Sequence, residues 1–170
     1  MRLFDFFKKG KNPGESATKM TDSGQQTAEQ DGIVVFELQL KATDLGIEQE
    51  LIQRAVERMV EEDPFQNFYA GKEESDLKYI ATKVYQYELI TTMNVQLVRK
   101  DQNVALVVEQ QHLGNLPQTQ SLAVQKYLDD YLLTGYAYIR GGKGKRYSPT
   151  TQTVQTDVED YELEITLQFS

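Results

Sequence analysis

The last residues of the chain alternate apolar and polar side chains with a strict period of two. Leu163, Ile165, Leu167 and Phe169 stand at every second position, separated by charged or polar residues. Because successive side chains of a β-strand point to opposite faces, this pattern predicts a strand over 161–169 with one buried face. Such a strand needs neighbouring strands and an apolar layer to cover it, so the chain must fold around a sheet.

The composition excludes several classes of site. The 170 residues include no cysteine and a single histidine, His112. Disulfides, thiolate nucleophiles and thiolate metal sites are therefore excluded, and so are metal motifs with paired histidines. We interpret His112 as a half-exposed strand residue, since only Glu109 lies close to it in sequence as a second metal ligand. No nucleophile–base arrangement is visible, so we expect a protein that is not an enzyme and carries no metal or cofactor.

The charge is distributed unevenly along the chain. There are 18 Lys and Arg residues against 26 Asp and Glu residues, a formal net charge of −8. Residues 1–31 contain five residues of each sign, so the whole excess lies in residues 32–170. An acidic domain repels phosphate backbones, so a nucleic-acid site here has to be a local basic patch.

No apolar run is long enough to cross a membrane, and we expect a soluble, cytoplasmic protein.

Residues 1–31 are predicted to form a flexible N-terminal tail and linker ahead of one domain, residues 32–170. The stretch 10–32 is nearly devoid of large apolar side chains and cannot offset its own backbone entropy by burial. The tail begins with a Phe-rich segment that contains Leu3, Phe4 and Phe7. This segment is interpreted either as a frayed terminus or as a short foot for a membrane surface or a partner protein. Deletion of residues 1–31 is expected to leave the fold intact.

The first half of the domain predicts a strand and a long helix. Residues 33–40 alternate as a strand, and residues 47–60 carry apolar side chains at helical spacing, with Asp44 as the cap and Pro64 limiting the end. Ser75 is predicted to cap a short helix through Thr82. Tyr85 to Val98 is predicted as one long strand, or as two strands joined at 91–92.

The second half predicts mainly strands. Turns at 100–103 and 109–111 separate short strands at 104–108 and 112–116. A second amphipathic helix is predicted from about Gln120, then a strand at 136–139, and then a long polar loop at 141–156. These elements indicate an α+β domain with a small antiparallel β-barrel or curled sheet and two main flanking helices. The predicted core consists of Phe36, Leu38, Val56, Met59, Leu97, Leu106, Val107, Leu128, Leu163, Ile165 and Leu167.

One short stretch combines basic and aromatic side chains. Four cations concentrate positive charge inside an acidic domain, and three tyrosines flank them: Arg140, Lys143, Lys145 and Arg146 with Tyr136, Tyr138 and Tyr147. Basic groups interleaved with aromatic rings can hold a single strand of nucleic acid through phosphate contacts and base stacking. Gly141 and Gly142 would allow close backbone approach. The alternative is a flexible basic hairpin loop. The acidic clusters at 61–63 and 157–160 are interpreted as solvated faces.

The order of segments from Val84 onward resembles the HIRAN domain of bacterial single-domain proteins. The resemblance rests on Val84–Glu88, Val95–Arg99, Val104–Val108, Glu109–Pro117 and Tyr138–Lys145. It implies a small β-barrel related to OB-type barrels, with flanking helices. The turn at 100–103 departs from the family, because it lacks the Asn-Pro-Tyr-Asp whose tyrosine helps eukaryotic HIRAN domains hold a 3′ end of single-stranded DNA.

Two functions follow as predictions. The first is a non-enzymatic module that binds single-stranded or terminal nucleic acid weakly through the basic, tyrosine-flanked stretch. The alternative is a protein-interaction or assembly module of a phage, a mobile element or a bacterial complex. In that case the partner would meet the acidic surface or the N-terminal Phe-rich segment.

Overall fold

The computed structural model describes residues 33–170, so the predictions made for residues 1–31 lie outside the described residues. In this range ten strands, three helices and two short 3-10 turns, Thr43–Leu45 and Phe68–Gly71, follow one another. The strands and helices are, in chain order, β1 (Phe36–Lys41), α1 (Gln49–Glu62), α2 (Glu74–Leu77), β2 (Val84–Tyr85), β3 (Thr91–Thr92), β4 (Val95–Lys100), β5 (Asn103–Val108), β6 (Gln111–Asn115), α3 (Gln118–Gln125), β7 (Leu133–Arg140), β8 (Lys143–Ser148), β9 (Thr153–Val158) and β10 (Glu162–Phe169).

The described strands form three antiparallel sheets. One has the order β1-β10-β7-β3, the second β2-β8-β9 and the third β4-β5-β6. The predicted α+β class with two main helices, α1 and α3, is confirmed. A closed barrel is not found among residues 33–170.

The strand that alternates best occupies the centre of the largest sheet. β10 pairs with β1 on one side and β7 on the other, with Ile165 opposite Leu40 and Ala137. Leu163, Ile165 and Leu167 are fully buried, as the alternation predicts. β10 therefore forms the floor of the core.

Helix α1 covers the core with one apolar face. Ile52, Ala55, Val56 and Met59 are buried at helical spacing, and the helix ends before Pro64 as predicted. The predicted cap at Asp44 is wrong. Residues 43–45 instead form a 3-10 turn that Gly46 ends with a φ of 70°, and α1 begins only after Glu48.

Ten of the eleven predicted core residues belong to the core or pack against it. Six are buried, namely Val56, Met59, Leu106, Leu163, Ile165 and Leu167, and four are partly buried against them, namely Phe36, Leu38, Leu97 and Leu128. The prediction for Val107 is wrong. Its neighbours Leu106 and Val108 point into the core, so Val107 points to the other face of β5.

The stretch from Tyr85 to Val98 is neither one strand nor two. It contains β2, β3 and the start of β4, which pair with β8, β7 and β5 and so belong to three different sheets. Tight turns interrupt it, with the Ile90 N–H donating to Tyr87 O and the Val95 N–H donating to Met93 O. Backbone hydrogen bonding of this kind leaves little trace in the pattern of side chains.

The predicted loop at 141–156 is also wrong, since most of it forms the β8–β9 hairpin.

The short helix begins at Glu74 instead of after Ser75, because Glu73 and Asp76 cap its first turn reciprocally. Helix α3 spans Gln118–Gln125, so only the beginning of the second predicted amphipathic stretch is helical. The turns predicted at 100–103 and 109–111 are confirmed but shorter, at 101–102 and 109–110, with positive φ at Asp101, Glu109 and Gln110. Within residues 33–170, none of the helices is both long and apolar enough to cross a membrane.

Candidate nucleic-acid interface

The seven predicted site residues lie in two different sheets. Tyr136, Tyr138 and Arg140 are alternate residues of β7, on the face opposite the buried Ala137 and Ile139. The other four, Lys143, Lys145, Arg146 and Tyr147, belong to β8. Their closeness in sequence therefore does not place all seven on one sheet.

Arg140 is already paired within the sheet. Its Nε lies 2.8 Å from Oε2 of Glu164, which is directly across the ladder from Tyr138. Its guanidinium lies 5.9 Å from the centroid of the Tyr138 ring. A cation that is neutralised by a carboxylate and lies over an aromatic ring offers little to a phosphate.

Lys145 is engaged in the same way on β8. Its Nζ lies 3.0 Å from Oε1 of Glu74 and 4.7 Å from the centroid of the Tyr69 ring. The side chain is only 23% exposed. Lys145 thus joins β8 to α2 and to the turn before it, which is a structural role.

Lys143 and Arg146 are the two cations of the predicted set that remain unpaired within residues 33–170, and both are exposed. Neither forms an ion pair with any carboxylate of residues 33–170. Tyr147, next to Arg146, is half-buried. The free positive charge of the predicted site therefore lies on β8.

Gly141 accommodates the chain itself. It has a φ of +75°, and a Cβ at this position would stand 2.2 Å from the carbonyl oxygen of Asp160. A side chain is excluded both by the space and by the backbone conformation. The close approach expected of this glycine is thus an approach of the protein's own backbone.

Arg146 and Tyr147 line a groove of about 510 Å³. β2 is only two residues long and pairs with β8 at Gly144 and Lys145, so the edge of β8 beyond Lys145 is left without a strand. The segment 78–81 forms the other wall. The lining residues are Lys78, Tyr79, Ile80, Ala81, Arg146, Tyr147, Ser148, Pro149 and Gln155.

The lining of this groove differs in charge from the rest of the domain. It contains two cations and no acidic residue. Lys78 Nζ lies 5.2 Å from the centroid of the Tyr79 ring, and Tyr79 is 82% exposed. The arrangement presents positive charge beside an open aromatic face.

Lys78 and Tyr79 were not predicted as site residues. The signal was a basic residue next to a tyrosine, the same combination that drew attention to Arg146 and Tyr147. It was hidden by the prediction of a helix through Thr82, whereas α2 ends at Leu77. Residues 78–81 are therefore available as the wall of a groove.

The acidic cluster at 157–160 is not simply a solvated face. Lys83 Nζ lies 2.7 Å from Oδ2 of Asp157 and also contacts Glu159, whose other oxygen accepts a 2.7 Å hydrogen bond from the Tyr85 hydroxyl. The hydrogen bond to Asp157, followed by that to Glu159, raises the pKa of Lys83. Lys83 and then Tyr85 lower the pKa of Glu159. These contacts hold β2 against the β8–β9 hairpin and neutralise the charge of Lys83.

His112 and Glu109 do not form a site together. His112 is exposed, while Glu109 is 7% exposed and accepts hydrogen bonds from Thr92 and from Asn94. No group of three or more possible metal ligands is found in the described part of the chain.

No protein-family model, no curated protein and no solved structure matches this chain. One fold can carry many functions, so the fold by itself does not decide between them.

Proposed function

We propose that the protein is a non-enzymatic module that binds a short single-stranded or terminal segment of nucleic acid in the groove between residues 78–81 and β8. One observation carries the proposal. In a chain with a net charge of −8, this groove is lined by two cations and two tyrosines and by no carboxylate. A single strand requires a positive track for its phosphates and flat apolar surfaces for its bases.

Each wall of the groove supplies one cation and one ring. Arg146 contacts a phosphate through its planar fork of donors, and Lys78 contacts the next one as a point charge. The rings of Tyr79 and Tyr147 stack on bases, which is tolerant of sequence. Ser148 and Gln155 add neutral hydrogen-bonding groups for base edges or sugars.

The binding is weak and depends on salt. Two phosphate contacts on a single strand give a slope of log K against log salt concentration of about −1.4. The acidic remainder of the domain opposes the ligand, and salt screens this repulsion together with the attraction. Binding is therefore measurable mainly at low ionic strength.

The fold proposed to go with this function is a HIRAN-like barrel that is opened into separate sheets. The support is the order of elements, namely the hairpin of β4 and β5, then β6, α3, β7 and the glycine turn before β8. This order follows the segments on which the sequence resemblance rests.

Fluorescence anisotropy with a labelled thymidine strand of about ten nucleotides tests the function. Lys78→Ala/Arg146→Ala is expected to lose binding at low salt. Arg58→Ala/Lys100→Ala removes the same charge from exposed residues outside the groove. This variant is expected to retain nearly all of the affinity for the strand. Absence of binding to the native protein, or an equal loss in both variants, would reject the proposal.

One observation favours the alternative, a protein-interaction or assembly module. Ile33, Val34 and Val35 are exposed in succession just before β1, which is an edge strand of its sheet. An exposed strand edge with apolar side chains is a surface on which a partner can add a strand. Substitution of Val34 and Val35 by serine would weaken such a contact and, because it leaves the net charge the same, would leave the binding of a nucleic-acid strand unchanged.

A further inference from the structure

A second cavity, of about 290 Å³, lies between α1 and two tyrosine rings, and its lining is of the opposite charge. One wall is a single face of α1 with residues three and four apart. The residues that line it are Gln53, Val56, Glu57, Val60, Glu61, Tyr87 and Tyr161. The proposed nucleic-acid groove contains none of these residues.

The two rings of this cavity are held in place. Tyr87 and Tyr161 stack with their centroids 6.2 Å apart and an angle of 18° between the rings. Phe68 packs edge-on against Tyr87 at 5.4 Å. The backbone oxygen of Tyr161 also accepts a 2.9 Å hydrogen bond from Gln49 of α1. Fixed rings present faces that are electron-rich and attract cations.

Two carboxylates stand at the same cavity without a cation. Glu57 and Glu61 are one helical turn apart, a spacing at which like charges repel. Neither forms an ion pair within residues 33–170, whereas Glu50 and Arg54 on the same helix form one at the same spacing. The repulsion between Glu57 and Glu61 would be relieved by a positive group between them and the rings.

Burial, followed by the neighbouring Tyr87 and Glu57, raises the pKa of Tyr161. The neighbouring Tyr87 and Glu57 thus disfavour a further negative charge beside the Tyr161 hydroxyl. A neighbouring ring already carries a cation, since Lys145 Nζ lies 4.7 Å from the centroid of the Tyr69 ring. Phosphate is excluded from this cavity by the carboxylates, so its ligand differs from that of the groove.

We propose that this cavity binds the alkylammonium or guanidinium group of a lysine or arginine side chain presented by a basic peptide. The aliphatic part of such a side chain packs on Val56, Val60 and the tyrosine rings. Its charged end lies between Glu57 and Glu61. The acidic charge of the whole chain attracts a basic peptide over a longer range.

NMR titration of the full chain with n-butylammonium chloride tests the chemistry, with n-butanol as the neutral probe of the same length and sodium chloride to match ionic strength. Butylammonium is expected to shift resonances of the cavity residues, and butanol is not. Equal shifts with both probes would overturn the proposal. The peptide Gly-Gly-Lys-Gly-Gly is expected to shift the same resonances, and failure to do so while butylammonium binds would overturn a peptide as the source.

Double variants at exposed positions distinguish binding in the cavity from a general effect of the protein's negative charge. Glu57→Gln/Glu61→Gln is expected to weaken butylammonium binding about tenfold, because it removes two ion pairs of modest individual strength and leaves the rings in place. Glu48→Gln/Glu62→Gln removes the same charge outside the cavity and is expected to change it less than about twofold. An equal loss in both double variants would overturn the proposal. Tyr87→Phe is expected to retain the ring and the affinity for butylammonium, whereas Tyr87→Leu is expected to lose that affinity.

The two proposals fail separately. Lys78→Ala/Arg146→Ala is expected to leave the butylammonium titration unchanged, because neither residue lines the cavity. A loss of butylammonium binding in that variant would count against a separate cation site.

Discussion

The ring of Tyr161 lies so close to Gly142 that a Cβ on the glycine would stand 2.1 Å from Cε1 of the ring. Gly142 also has a φ of +76°, so the turn between β7 and β8 depends on this glycine for both space and conformation. Through this contact the turn supports Tyr161, which forms part of the lining of the cavity of about 290 Å³ beside α1. Gly141 and Gly142 thus have a structural role, whereas the sequence suggested that they allow a ligand to approach the backbone closely.

Gly142→Ala is expected to lower the free energy of unfolding by about 2–4 kcal/mol, from overpacking against the ring together with the strained conformation. Gly46→Ala is the matched control, since Gly46 has a similar φ of +70° but nothing within 4 Å of a Cβ. It should cost only about 1 kcal/mol. Urea denaturation measures both, and equal losses would show that the ring moves away freely.

Ile165→Ala is expected to lower the free energy of unfolding by about 2–5 kcal/mol, because the side chain is fully buried at the centre of the largest sheet. Val158→Ala serves as the comparison, as Val158 is 76% exposed and should change stability by less than about 0.5 kcal/mol. Thermal or chemical unfolding distinguishes the two. A neutral Ile165→Ala would contradict the assignment of the buried face of β10.

Acid stability is expected to depend on Glu159. Lys83 and Tyr85 hold its pKa below the ordinary value of 4.5, so the carboxylate stabilises the fold above pH 4.5 and this contribution is lost as the pH falls through the lowered pKa. Glu159→Gln should therefore lose less stability than the native protein between about pH 7 and about pH 3. Urea midpoints across this range measure the effect. Glu62→Gln, which removes a carboxylate with no ion pair in the described range, should keep the native pH dependence.

The cations of the basic stretch are expected to contribute unequally to nucleic-acid binding. Arg140 is paired with Glu164 and Lys145 with Glu74, whereas Arg146 lines the groove. Arg146→Ala should reduce the affinity for a single strand and lower the magnitude of the salt slope by about 0.7, and Arg140→Ala should leave both unchanged. Anisotropy titrations at several salt concentrations measure this. The same loss in both variants would mean that charge, and not the groove, governs binding.

The elements that could be predicted from the sequence are those in which one segment carries its own signal. The alternation over Leu163–Phe169 and the helical spacing from Ile52 to Met59 each mark a buried face, because the period of the side chains is a property of the element itself. The turns at Asp101 and Glu109 were recognisable from polar residues that tolerate tight turns. The core residues followed from these faces, apart from Val107.

The elements that could not be predicted are held by partners elsewhere in the chain. Backbone hydrogen bonds, which hardly depend on the side chains, hold β2, β3 and the β8–β9 hairpin in place. The hairpin is exposed and has no continuous apolar face from which it could have been predicted. Only half of the proposed groove was visible, because Lys78 and Arg146 are far apart in sequence and meet only where β2 stops pairing with β8. In the same way Glu57 and Tyr161 share a cavity only because α1 packs over the large sheet. The buried faces of β10 and α1 can be recognised in the amino-acid sequence, since burial follows from the chemistry of each side chain. Which charges are neutralised and which remain free follows only from the folded chain, since it depends on distances between segments that are far apart in sequence.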